Sequence, residues 1–246
     1  MPNARDVALI VGAGDYVGAA IAKRFAAGGM TAVVGRRHVE KLAPLVAEIE
    51  AAGWRAHAMA LDARDEETVQ SAFAAIERDI GPLAVVVFNV GANVNFPIRD
   101  TTSRVFRKVW EMACFGGFLT GREAAKVMVP RGRGSIFFTG ATASMRGGKG
   151  YAAFAAAKAG LRAMAQSMAR ELWPENIHVA HLVIDAGVDT AWVRERIEAA
   201  GRDPAGLPPD TLMHPAAVGE AYWSLHQQPR DAWTFELEIR PYRETW

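Results

Sequence analysis

The sequence predicts an α/β protein built on a doubly wound parallel sheet of about seven strands, with helices on both faces. Three observations carry this. Short apolar runs alternate with longer helical patterns from one end of the chain to the other. Most of the short runs are β-branched or apolar on both faces, as strands of a sheet covered on both sides must be. At 246 residues, half of them hydrophobic, the chain suits one large domain with a substantial core.

In order, the first strand is the apolar run Val7–Val11, and a helix over Val17–Ala27 comes after a glycine-rich turn. Thr31–Val34 is the second strand and Val39–Ala52 the next helix. Ala56–Leu61 and Leu83–Phe88 read as strands on either side of a helix over Glu66–Asp79. A long helical pattern, Ser103–Met128, leads to the strand Ser135–Thr139. The helix Tyr151–Leu172 precedes the strand His178–Ile184, and helices over Ala191–Ala199 and Pro215–Gln227 precede the last strand, Thr234–Ile239. Between those last two helices, Gly201–Asp210 carries three prolines and two glycines and reads as a loop, either a lid or a plain surface connection. No linker or repeat divides the chain, so one domain over 1–246 is expected, with its ligand at the carboxyl ends of the strands.

Composition narrows the function. With 28 basic and 27 acidic side chains there is no cationic excess to suggest nucleic acid or a membrane surface as partner. The lone cysteine, Cys114, has no internal disulfide partner, which suits a reducing, cytoplasmic setting. The first residues lack the longer apolar stretch and small-residue cleavage site of a leader, and no run approaches the roughly 18 apolar residues of a membrane span. The six histidines show no metal-ligand spacing, so no metal is expected. His181, on a strand, reads as a satisfied core histidine, and Cys114 as a small buried hydrophobe.

The first strand runs into Gly12-Ala13-Gly14-Asp15-Tyr16-Val17-Gly18 and directly into a helix. Glycines there let a backbone approach a pyrophosphate, and the helix start offers free N–H groups and a positive dipole end. A tight strand-to-helix turn is the plain alternative.

The glycine spacing resembles the T-G-x-x-x-G-x-G motif of the short-chain dehydrogenase/reductase family, with Tyr16 in place of the middle glycine. The resemblance extends over nearly the whole chain and implies a single NAD(P)-binding Rossmann-type domain. Asp62 matches the family's adenine-contacting acid, and Phe88-Asn89-Val90-Gly91 stands where N-N-A-G is usual. Asp189-Thr190 matches the end of the segment that contacts the nicotinamide, which brings in Val188, while Asp185-Ala186 replaces the usual Pro-Gly. Gly160 and Gly187 read as packing or turn positions.

The second strand ends in Gly35-Arg36-Arg37 rather than in an acid. Guanidinium groups suit a 2′-phosphate, which favours NADP(H) over NAD(H), although solvated surface charge is the plain reading of both arginines. Asp15 either opposes that phosphate or pairs with Arg36.

Carbonyl reduction in the family uses a Tyr-x-x-x-Lys pair, whose spacing puts both side chains on one helix face. Here that stretch is Phe154-Ala155-Ala156-Ala157-Lys158; the lysine remains and the acid position is phenylalanine. Thirteen residues earlier Ala141 stands for the family's Ser, and Cys114 aligns with its relay Asn. The resemblance therefore implies an oxidoreductase without the usual acid. Tyr151 is one substitute: Tyr151-x6-Lys158 resembles the arrangement in bacterial enoyl-acyl-carrier-protein reductases, and its alternative is an aromatic that only lines the pocket. Thr139, Thr142 and Ser144 are further hydroxyls nearby, of a kind that more often satisfies the backbone.

Three functions are consistent with these residues. The first is an NADP(H)-linked reduction of an activated C=C or C=N bond in a small apolar substrate. The runner-up is a nucleotide-binding or regulatory protein that catalyses nothing, and the third is an ordinary alcohol dehydrogenase in which some other hydroxyl reaches the place of the missing phenol. The aromatic-rich terminal stretch from Ala232 to Trp246 suits a subunit boundary, and a homodimer or homotetramer is expected.

Overall fold

The computed structural model describes residues 6–244. The strands are β1 (Val7–Val11), β2 (Thr31–Arg36), β3 (Arg55–Ala60), β4 (Leu83–Phe88), β5 (Gly134–Ala141), β6 (Ile177–Ile184) and β7 (Glu236–Ile239). They form one seven-stranded sheet in the order β3-β2-β1-β4-β5-β6-β7, and every neighbouring pair is parallel. The order reverses between β1 and β4, so a crevice opens there at the carboxyl ends of the strands.

Alternation along the strands builds two cores. Val7, Leu9 and Val11 enter one cluster with Val86 and Phe88, while Ala8 and Ile10 enter the other with Val85 and Val87. Helices α1 (Val17–Ala27), α2 (Ala43–Ala51) and α9 (Pro215–His226) cover the second face through Phe25, Ile49 and Tyr222. Helices α3 (Glu66–Ala75), α5 (Gly116–Met128) and α7 (Ala152–Leu172) cover the first through Phe73, Leu119 and Leu161. The fold is the predicted α/β type, and none of its helices is long and apolar enough to cross a membrane among the described residues.

The expected long helix over Ser103–Met128 is interrupted. It consists of α4 (Ser103–Trp110), a π-helical turn at Glu111–Phe115, and α5. A π turn inserts one residue into the hydrogen-bond register and so rotates α5 about the helix axis relative to α4. A second π turn, Ile76–Ile80, ends α3, and a 3-10 turn, Val39–Leu42, precedes α2, whose first turn holds Pro44. The loop after β5 contains a short helix, α6 (Thr142–Met145), and α8 (Ala191–Ala199) precedes the irregular Gly201–Asp210 segment. Residues 1–5 and 245–246, on which the leader reading and the last part of the terminal aromatic stretch fall, lie outside the described residues.

Two buried histidines set an acid limit to stability. His181 is fully buried, and its Nδ1 faces Glu236, which also takes two hydrogen bonds from Arg162. Burial lowers the pKa of His181 to about 4, against the opposing pull of Glu236, and burial likewise lowers that of His226 to about 4. The unfolded chain takes up both protons near 6.5. Between these values the unfolded state holds more protons, so stability is full above 6.5 and falls as pH drops toward 4. Urea melts across this window should show a loss on the order of a few kcal/mol, reduced in His181→Gln. A flat profile would contradict the assignment.

Candidate active site

The glycine turn sits at the reversal point of the sheet. Gly12 adopts φ +86, and a Cβ on it would lie 2.9 Å from the Val90 side chain. A Cβ on Gly18 would lie 2.6 Å from the Cα of Ala13, so the first turn of α1 packs directly on the loop backbone. Cβ positions on Gly14 and Gly91, by contrast, point into open space. Helix α1 begins after Tyr16 with no side-chain cap, which leaves its N-terminal dipole end available to an anion.

Two cavities adjoin at Asn89, Val90 and Gly91. The smaller, about 250 Å³, is lined on one side by Gly12 and Gly14 and on the other by Arg36, Arg37 and Asp62. Arg64 and His38 also line it, and neither stands out in the sequence. Asp62 accepts from Arg64 Nε (2.9 Å) and Nη2 (2.6 Å), and this pairing, against the opposing effect of burial, holds its carboxyl below the usual range. Asp15 faces Arg36 at 3.2 Å, so the acid pairs with the arginine. Asp15 and Tyr16 line neither cavity; the Tyr16 hydroxyl instead accepts the Ala191 N–H at 3.1 Å, bridging the glycine loop to the start of α8.

The larger cavity, about 700 Å³, brings together Val17, Ala141, Tyr151, Phe154, Lys158, Val188 and Thr190. Lys158 is 3% exposed, and its Nζ donates to the carbonyls of Thr139 (2.8 Å) and Val90 (3.2 Å). Burial lowers its pKa to about 8, against an opposing pull from Cys114. Cys114 itself lines neither cavity; it is buried with Ala113 and Phe154, close to Gly160, and burial raises its pKa. Gly18 also lies outside both linings and acts through the loop it packs on.

The nearby hydroxyls are occupied. Thr139 Oγ1 donates to Asn89 Oδ1 (3.0 Å) and meets the buried Tyr222 hydroxyl at 2.7 Å, while Asn89 Nδ2 donates to the Gly12 carbonyl at 3.1 Å. Thr142 donates to Asp185 at 2.5 Å, and Ser144 Oγ accepts the Ala141 N–H at 3.1 Å. Asp185, 2% exposed, also pairs with Arg146 and Arg240. Burial alone would raise its pKa, but the Thr142 and Arg146 hydrogen bonds and the two guanidinium charges hold it below the usual range. Thr190 caps α8 by accepting the Val193 N–H, and the Tyr151 hydroxyl accepts from Arg196 Nη2 at 3.1 Å. Trp192, Arg196 and Arg202 complete the wall; the sequence predicts the helix that carries the first two but not their place beside the cavity. Among the described residues no group of acidic, histidine or cysteine side chains is placed to hold a metal ion.

Comparison with known proteins places this architecture. A crystal structure of a short-chain dehydrogenase from Rhodopseudomonas palustris is 58% identical, with a TM-score of 0.83 over 98% of this chain and 100% of that one. An alcohol dehydrogenase from the archaeon Thermococcus sibiricus, solved with 5-hydroxy-NADP, is 24% identical, with a TM-score of 0.84 over 98% of each chain. An uncharacterized oxidoreductase of Bacillus subtilis, YuxG, is 32% identical over 212 residues, 82% of this chain but 31% of its own length. The chain thus spans about a third of that relative. The short chain dehydrogenase family model matches residues 6–200, well over half of the sequence, and the chain belongs to that family.

Proposed function

We propose that this protein is an NADP(H)-dependent oxidoreductase with non-standard acid–base residues, acting on an activated C=C or C=N bond of a small apolar substrate. The observation that carries the proposal is the lining of the larger cavity, where Lys158 stands with Ala141 and Phe154 and neither of those two side chains carries a proton to give.

The residues present fit the dinucleotide. Open space before Gly14 and Gly91 leaves room for a phosphate-bearing backbone, and the uncapped start of α1 faces the same loop. Gly12, Gly14 and Val17 would hold the pyrophosphate, with Gly18 packing under the loop and Asp15 and Tyr16 fixing it through Arg36 and Ala191. Arg36 and Arg37 would hold a 2′-phosphate, Asp62 the adenine, Asn89, Gly91 and Lys158 the ribose, and Val188 and Thr190 the nicotinamide end. The NADP derivative in the Thermococcus protein supports the same preference. When bound, NADPH supplies a hydride.

What the chain must supply is a proton where negative charge develops. An isolated ketone demands an acid beside its oxygen, and Ala141 and Phe154 provide none. A protonated imine develops no such charge, and an enone carries it to an oxygen remote from the reduced carbon. A displaced donor suits that case: Lys158, or Tyr151, whose hydroxyl accepts from Arg196 and so keeps its own proton to donate. Cys114, at the family's relay position, is packed in an apolar cluster and takes no part. We place the protein in the cytoplasm as a homodimer or homotetramer; the exposed Phe106, Trp110 and Phe118 along α4 and α5 support the association.

Incubation with NADPH and a panel of enones, enoyl thioesters, imines and ketones tests the proposal. Turnover is expected for the first three classes, and Ala141→Ser with Phe154→Tyr is expected to raise ketone reduction by roughly 10²–10⁴-fold. Absence of turnover with every class, while NADPH still raises the melting temperature, would sink it. That outcome would favour the second reading, a nucleotide-binding or regulatory protein, to which the lack of a proton at Ala141 and Phe154 also points.

A further inference from the structure

The larger cavity is electrostatically one-sided. Its lining includes Lys158, Arg196 and Arg202 and no aspartate or glutamate, although the whole chain balances 28 basic against 27 acidic side chains. Lys158 is engaged by two carbonyls. The two arginines come from α8 and just beyond it, and neither lines the smaller cavity with Arg36 and Arg37.

Arg196 is positioned rather than neutralised. Its guanidinium carbon lies 4.7 Å from the centre of the Trp192 ring, and one of its N–H groups is directed to the Tyr151 hydroxyl at 3.1 Å. Among the described residues no carboxylate pairs with it. The neighbouring Arg194 shows the alternative, since Asp189 holds it in two hydrogen bonds of 2.6 and 2.8 Å. Helix α8 thus carries one arginine closed by an acid and one open to the cavity. A guanidinium has five N–H donors in a rigid plane, so the remaining edge of Arg196 matches the two oxygens of a carboxylate. The same cavity is also lined by the apolar Ile184, Val188, Val193, Ile197 and Phe154.

We infer that the substrate is an apolar molecule bearing a carboxylate, and that Arg196, steadied by Trp192 and Tyr151, is the residue that selects for that charge. This rests on the larger cavity being the substrate site proposed above. It extends that reading from an apolar substrate to an apolar acid.

The test is binding to the NADPH-loaded protein of cinnamate, octanoate and benzoate, each against its neutral amide, monitored by quenching of bound NADPH fluorescence. At least one acid should bind roughly ten-fold tighter than its amide, through charge-assisted hydrogen bonds. Arg196→Met should remove that margin by weakening the acid alone, with NADPH affinity unchanged, and Arg196→Lys should restore part of it. In the wild type the margin should also vanish as pH falls through the carboxylate's own pKa. Equal binding of acid and amide, retention of the margin in Arg196→Met, or no binding of any acid would overturn the inference. Tighter binding of phenyl phosphate than of every acid would overturn the choice of carboxylate. Failure of the wild type to bind NADPH at all would instead count against the proposed function.

Discussion

Gly18→Ala is expected to weaken NADPH binding by about 100-fold or more and to destabilise the fold by about 1–3 kcal/mol. An alanine Cβ there would sit 2.6 Å from the Ala13 Cα and 2.8 Å from the Gly12 carbonyl oxygen. Both contacts are backbone, so no rotamer change relieves them; either α1 retreats from the loop or the loop deforms. The loop has little freedom to do so, because Gly12 is held at φ +86 against Val90 and Asn89. Gly14→Ala separates this packing defect from loss of the phosphate cradle. Its Cβ would meet nothing within 4 Å in the protein, so the melt should be unchanged while cofactor binding is impaired. Urea melts and NADPH titrations on both variants give the comparison. Unaltered stability and affinity in Gly18→Ala would show that the loop does not occupy this geometry when it works.

Lys158→Met is expected to lower turnover by roughly 10²–10⁴-fold, the usual range for removing a proton donor. The wild-type rate should decline as pH rises through about 8, where the buried ammonium loses its proton, and the methionine variant should lack that limb. Stability should move the other way. The unfolded chain holds this proton up to 10.5 and the folded one only to about 8, so between those values the unfolded state carries more protons. The wild type should therefore gain stability relative to Lys158→Met as pH rises from 8 to 10.5. A rate limb without the stability trend would assign the titration to another group. A protein that only binds nucleotide would show neither turnover nor its pH limb.

Much of the scaffold was legible because a parallel sheet covered on both faces leaves a direct trace in sequence. Leu83–Phe88 shows why: the run is apolar throughout, too short for a helix of ordinary length, and buried at every position. The strand-to-helix turn at Gly12 was equally plain, since only small residues tolerate that backbone. The π turns were not legible. Glu111–Phe115 has no composition that distinguishes it from the helices on either side, and its register is set by how α4 and α5 pack on α7. Helix α6, at four residues, is too short to display a period. Within the site, cavity-lining residues near a glycine or a strand end could be located by position alone. Arg196 and the Tyr222 hydroxyl could not, because what defines them is a partner elsewhere: Tyr222 meets Thr139 across 83 residues, and Arg196 meets Tyr151 across 45. The pairing of Arg64 with Asp62, only two residues apart, had a sequence signal in that short spacing, but in a loop the spacing alone does not dictate contact.

Asp185 ties three distant parts of the chain to one buried charge: Thr142 and Arg146 around α6, β6 through its own backbone, and Arg240 just beyond β7. Removing a partner from a buried charge is costly even where others remain, and with Arg240 released Asp185 would keep only Arg146 and Thr142. Fraying of the last strand is therefore not a local event, because releasing Arg240 strips compensation from a carboxylate beside the loop that follows Ala141. Through Asp185 the sheet edge is tied to the loop after Ala141, and amide hydrogens in both are expected to exchange as one cooperative unit.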